Sequence, residues 1–163
     1  MNLPRVTPTP AQDDAAKILD AIRRLVRGLR VYSRECEAKL GLSAAQLYAL
    51  GHLQGRGGMS LRDLAAATLT DLSSVSVVVT RLEEKGLLLR QRALKDKRNI
   101  ELRLSPQGTA LLSRAPDALQ DRMVACLLAM PDSRRRALAL TLQDLVQGSG
   151  LAGQRPDMLF EDR

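Results

Sequence analysis

A chain of 163 residues is long enough for one domain with its own core, or one domain with dimerisation arms, so neither disulfides nor a metal is needed to hold it together. Hydrophobic residues make up 45% but aromatics only 2%, which leaves Leu, Val, Ile and Ala to build the core and favours packed helices over an aromatic-rich sandwich. The formal net charge of +7 favours a polyanionic partner, either nucleic acid or an anionic membrane surface.

Residues 1–12 carry Pro4, Pro8 and Pro10 without periodicity and read as a flexible tail, with prolines where a signal peptide would hold its apolar stretch. From Asp13 onward Ile18, Ile22, Leu25, Leu29, Tyr32, Cys36 and Leu40 recur at spacings of three and four, the stripe of one long helix that Gly41 stops. So long a helix is expected to find a partner outside its own core. Ser43 caps a second helix running to about Gln54, which Gly55–Gly58 terminate. Ser60 and Asp63 open a third, SLRDLAAAT. The next stretch, LTDLSSVSVVVTRLEEKG, has a β-branched centre that would also suit a strand. Val75, Val78, Val79 and Leu82 nevertheless share one face at helical spacing, and Gly86 stands at a helix end, so a helix is expected.

After Gly86 the period becomes two: LLLRQR forms one strand, and Ile100, Leu102 and Leu104 alternate with Glu101 and Arg103 in a second. Ser105 and Pro106 restart a helix, Pro116 is expected to break it, and Leu119, Met123, Cys126, Leu127 and Met130 continue an apolar stripe. A last helix spans about Ser133 to Gln147 with Leu138, Leu142, Leu145 and Val146 apolar, and residues 148–163 read as frayed. The fold class is thus mainly α with a small β-hairpin wing: a winged helix-turn-helix over about 43–105, with dimerisation helices at about 13–40 and 106–147.

The stretches DLSSVSVVVTRLEEKGLLLR (71–90) and DKRNIELRLSPQG (96–108) resemble the recognition helix and wing of the MarR family of bacterial regulators, and the likeness covers about residues 13–147. The resemblance implies a homodimeric, cytoplasmic transcriptional regulator, by prior a repressor, on a pseudo-palindromic double-stranded DNA operator. Outside the apolar stripe of the fourth helix lie Ser73, Ser74, Ser76, Val77, Thr80 and Arg81, short polar groups for base edges and phosphates. Arg81 is the candidate for guanine and Val77 for a thymine methyl. In the wing, Arg92, Lys95, Asp96, Lys97 and Arg98 are candidates, since residues 90–103 hold six basic against two acidic side chains, +4 of the chain's +7. By resemblance Arg98 enters the minor groove and Asp96 orients it.

The same resemblance implies a pocket for a small aromatic or phenolic ligand near Tyr32, Tyr48 and His52, residues whose ordinary role would be packing. Some relatives sense oxidants through a cysteine near the first helix, but Cys36 lies on the apolar stripe, which argues against reactivity. Cys36 and Cys126 are expected as two reduced, buried thiols. One histidine and no Walker loop, GxSxG or CxxC give an enzyme nothing to stand on; no metal or cofactor is expected. No apolar run approaches the ~18 residues of a membrane span. The alternative reading is a peripheral membrane or partner-binding protein using Arg23, Arg24, Arg27 and Arg30 of the first helix.

Overall fold

The computed structural model of this chain describes residues 9–92, 99–153 and Met158. Its first helix, α1 (Pro10–Leu40), starts ahead of the Asp13 read from periodicity. Thr9 Oγ1 accepts from the Gln12 amide at 3.3 Å, and Gln12 Oε1 accepts from the Thr9 amide at 2.8 Å. This reciprocal cap, with Pro10 where its missing amide costs nothing, starts the helix without any apolar residue. The expected tail is therefore shorter by the residues from Thr9 onward. Gly41 ends α1 in the left-handed region, its N–H donating to the Glu37 carbonyl.

Ser43 caps α2 (Ala44–Gly51), which is buried over almost its whole length. The helix ends before the expected Gln54, because Leu53 and Gln54 donate to the carbonyls of Leu50 and Gly51, tightening the chain to three-residue turns. That tightening swings Leu53 into the core. There follow α3 (Leu61–Ala67), α4 (Leu72–Glu84), β1 (Leu88–Arg92), β2 (Ile100–Leu104), α5 (Pro106–Leu112), α6 (Leu119–Leu128) and α7 (Asp132–Gly148). Helix α5 stops short of Pro116 and α6 begins after it, the expected break.

The two strands pair antiparallel with Leu88 opposite Leu104 and Arg92 opposite Ile100. Met59 adds an isolated bridge on β2, exchanging hydrogen bonds of 3.1 and 2.7 Å with Leu102. A single extended residue carries no period, so the sequence reading had no signal for it.

The core joins Tyr32 and Cys36 of α1 to α2, to Leu64 and Ala65 of α3, to the inner face of α4, and to Leu88 and Leu102 of the hairpin. Met158 is also buried in this cluster, which departs from the frayed end expected there. Helices α6 and α7 bury no residue within the chain, and Ile18 and Leu25 of α1 are half exposed. Cys126 is accordingly exposed on α6, not buried as expected; only Cys36 matches that expectation. No single helix among the described residues is long and apolar enough to cross a membrane. The pair α3 and α4 is apolar enough together, but it bends by 110°, and its residues Leu64, Ala65, Val75, Val78, Val79 and Leu82 are buried in the core.

Candidate nucleic-acid interface

The 110° angle between α3 and α4, across the four residues 68–71, has the geometry of a helix-turn-helix. The turn is held from both sides. Thr68 Oγ1 donates to the Leu64 carbonyl at 2.8 Å and is buried, closing α3. Leu69 then takes φ 55, a left-handed conformation that a non-glycine residue adopts only where the surroundings impose it. Asp71 caps α4, accepting from the amides of Ser73 and Ser74 at 3.0 Å each and from both their hydroxyls. Those donors, the Ser73 and Ser74 hydroxyls first, hold the Asp71 carboxyl far below the ordinary carboxylate range.

Val75, Val78, Val79 and Leu82 of α4 are fully buried, each contributing about 1.5–3 kcal/mol of burial free energy. This fixes the outward face. Ser73, Ser76, Val77, Thr80 and Arg81 line an open groove of about 720 Å³ together with Leu61, Leu72 and Glu84. Ser74 does not belong with them: it is buried, because its position, one before Val75 and four before Val78, falls on the inner side of the helix. Its hydroxyl serves the cap. Sequence reasoning missed Leu61 and Leu72 as groove residues: Leu72 is half exposed there, and Leu61 lines the groove while packing against the edge of the core.

The wing is fastened to α4 through Arg90, whose Nε donates to Glu83 at 2.8 Å and whose terminal nitrogen reaches Thr80 Oγ1 at 3.4 Å. On the opposite face of the hairpin Arg103 pairs with Glu101 at 2.9 Å. Arg92 is exposed at the end of β1. Lys95, Asp96, Lys97 and Arg98, the expected tip, lie outside the described residues.

A family model described as MarR family matches residues 40–99, the stretch from the end of α1 to the wing. The HTH-type transcriptional repressor MdtR of Bacillus subtilis is 30% identical over 88 residues, 54% of this chain and 57% of its own length. A putative transcriptional regulatory protein for the hcr operon of Thauera aromatica is 27% identical over 146 residues, 83% of this chain and 88% of its own. The fold agrees with that of Bordetella bronchiseptica BpsR, a protein whose DNA binding is regulated by 6-hydroxynicotinic acid. There the TM-score is 0.55 at 23% identity, covering 86% of this chain and 97% of that one. This chain is similar to the MarR family over residues 40–99, and to transcriptional regulators beyond that stretch. The relatives it matches are transcriptional regulators, and its fold is shared with solved structures of such proteins.

The residues expected at a MarR ligand pocket fall where α1, α2 and α6 approach one another. The Tyr48 and His52 rings meet edge-on with centroids 4.7 Å apart. His52 Nε2 lies 3.9 Å from Asp121 Oδ1 of α6. His52 also lines a cavity of about 310 Å³ with Gln54, Leu112, Pro116, Asp117 and Asp121. Tyr32 and Tyr48 are buried beside it and do not line it. Burial pushes both tyrosine hydroxyls up, aided at Tyr32 by the Cys36 thiol one turn along and at Tyr48 by Asp121. His52 Nε2 is buried without a hydrogen-bond partner among the described residues, while the buried Tyr32 hydroxyl has the Cys36 thiol and the Leu119 backbone beside it. Burial likewise raises the Cys36 thiol, which keeps it protonated and poorly nucleophilic. Among the described residues no cluster of three metal-ligating side chains occurs.

Proposed function

We propose that this chain is a sequence-specific repressor that binds a pseudo-palindromic operator as a homodimer and is released by a small aromatic or phenolic ligand. The observation that carries the reading is the outward face of α4: short polar side chains and one arginine line an open groove, while every large apolar residue of the opposite face is buried. An α-helix of this width fits the major groove, where Ser73, Ser76 and Thr80 reach phosphates or base edges and the Arg81 fork matches guanine O6 and N7. Arg92 and the basic tip through Arg98 extend the contact from the adjacent wing. The ligand belongs at Tyr32, Tyr48 and His52, where His52 lines the cavity of about 310 Å³ and its Nε2 is buried without a hydrogen-bond partner among the described residues. The heteroaromatic effector of BpsR is a precedent for the chemical class.

A second reading has one observation in its favour. Arg23, Arg27, Arg30 and Arg34 surround Ile22, Val26 and Val31 on α1, a basic and apolar surface that an anionic membrane or partner could occupy.

Selection of genomic fragments by the purified protein, then footprinting, tests both. A protected pseudo-palindrome whose affinity falls steeply with salt is expected of the repressor, and lipid binding without DNA preference of the alternative. On the selected operator Arg81→Ala should cost about 1–3 kcal/mol and relax specificity at one position, whereas Arg98→Ala should lower the salt slope by about 1. Full operator affinity in both variants would remove this face from the mechanism.

A further inference from the structure

We infer that His52 and Asp121 form a proton-operated latch between α2 of the winged-helix lobe and α6 of the C-terminal arm. The two groups stand 3.9 Å apart, too far for a hydrogen bond and close enough for a charge interaction once the imidazole carries a proton. Solvent screens that interaction while the Asp121 side chain is 61% exposed, and it strengthens as the carboxylate moves in. The atom facing Asp121 is His52 Nε2, which is buried and otherwise without a hydrogen-bond partner among the described residues.

The junction is built to move. Residues 113–118, with Pro116, interrupt the backbone between α5 and α6, so no continuous helix fixes the direction of α6. Only its start is packed: Ala115, Ala118 and Leu119 lie partly buried against the core, and α6 itself buries no residue. The cavity of about 310 Å³ between the two elements leaves room for Asp121 to approach. The charged and titratable groups around the ring are Asp121 of α6, Asp117 of the connection, Arg56 of the loop after α2, and Tyr48 on its own helix. Beyond Asp121 stands the Tyr32 hydroxyl of α1.

Burial holds His52 below the ordinary imidazole value of about 6.5, against the opposing pull of Asp121 and with a smaller push from Arg56. A lowered imidazole favours this arrangement in full above that value and withdraws the favour as pH falls through the window beneath it. Neutral His52 therefore leaves α6 where the structure has it. Protonated His52 draws the Asp121 carboxylate in, closes the cavity and turns α6, with α7 behind it, relative to the recognition helix.

His52 is the chain's one histidine, so its imidazole gives a single NMR signal in the intact protein. The test follows that signal and the methyl of Met123 on α6 from pH 8 to pH 5 in the full-length chain. His52 should titrate below 6.5, and Met123 should shift with the same midpoint. Asp121→Asn should move the His52 midpoint to lower pH and abolish the Met123 response. His52→Gln should abolish the Met123 response while leaving its pH 8 spectrum unchanged. A Met123 signal that stays still while His52 titrates overturns the latch, as does a shift that persists in His52→Gln. Neither operator nor effector enters the measurement, so its outcome is independent of the proposed DNA binding.

Discussion

Asp71 sits at the hinge of the helix-turn-helix, one residue before α4, and accepts from the amides and hydroxyls of both Ser73 and Ser74. A carboxylate so held contributes stability that is complete above its unfolded value of about 3.9 and is lost as pH falls through the lower folded value. Asp71→Asn should flatten the acid limb of the stability curve below pH 4, and Asp71→Ala should in addition speed amide exchange at Ser73 and Ser74 at neutral pH. An acid limb identical to the parent's in Asp71→Asn would show that the cap contributes nothing. The cap also explains Ser74. A serine next to a valine run reads as surface, yet this residue is buried on the inner side of α4 while its hydroxyl donates to the exposed Asp71 carboxylate.

At the scale of elements, the hairpin and α5 meet at Gly108. A Cβ there would lie 2.2 Å from the Leu87 carbonyl oxygen, a backbone atom with no rotamer to escape into. Gly108 also donates to Ser105 Oγ at 2.9 Å, and Ser105 Oγ donates to the Gly86 carbonyl at 2.7 Å, so the end of α4, the wing and α5 share one knot. Alanine would gain about 1 kcal/mol of helix propensity. Overpacking against backbone costs about 1–3 kcal/mol, so Gly108→Ala should lower Tm by roughly 2–4 °C or more for each net kcal/mol lost. A rise in Tm would mean that the strand gives way freely. Arg90 belongs to the same scale: the charge count around the wing groups it with DNA contacts, whereas its bonds to Glu83 and Thr80 make it the strut that sets the wing's angle to α4.

Over the whole molecule, buried and exposed apolar residues divide the chain sharply. The winged-helix lobe closes one core together with Tyr32 and Cys36 of α1 and Met158. Leu140, Leu142, Leu145 and Val146 of α7 remain 44–58% exposed, as do Ile18 and Leu25 of α1 at 52%. Apolar faces of this extent on separate helices fit a self-complementary dimer interface. Leu142→Glu should therefore yield a monomer at micromolar concentration by analytical ultracentrifugation, with helix content nearly unchanged because Leu142 is no part of the lobe's core. A variant that still sediments with the parent would remove this face from the proposed homodimer.

The sequence by itself determined the order of elements, the buried face of α4, the strand alternation and the breaks at Gly41, Gly86 and Pro116, because each follows from local period and capping chemistry. Its spaced residues on α4 fell into one groove except Ser74, whose direction a helical period leaves one position uncertain. Only the tertiary structure decided what depends on contacts between distant segments. The Thr9 cap lies beyond the apolar pattern, and the Met59 bridge is one residue long. The apolar Leu72 is half exposed, and Leu61, packed against the edge of the core, also reaches the groove, through an interhelical angle that no local signal records. His52 and Asp121 come within 3.9 Å across 69 residues of sequence, where period and propensity are silent and only packing brings charges together.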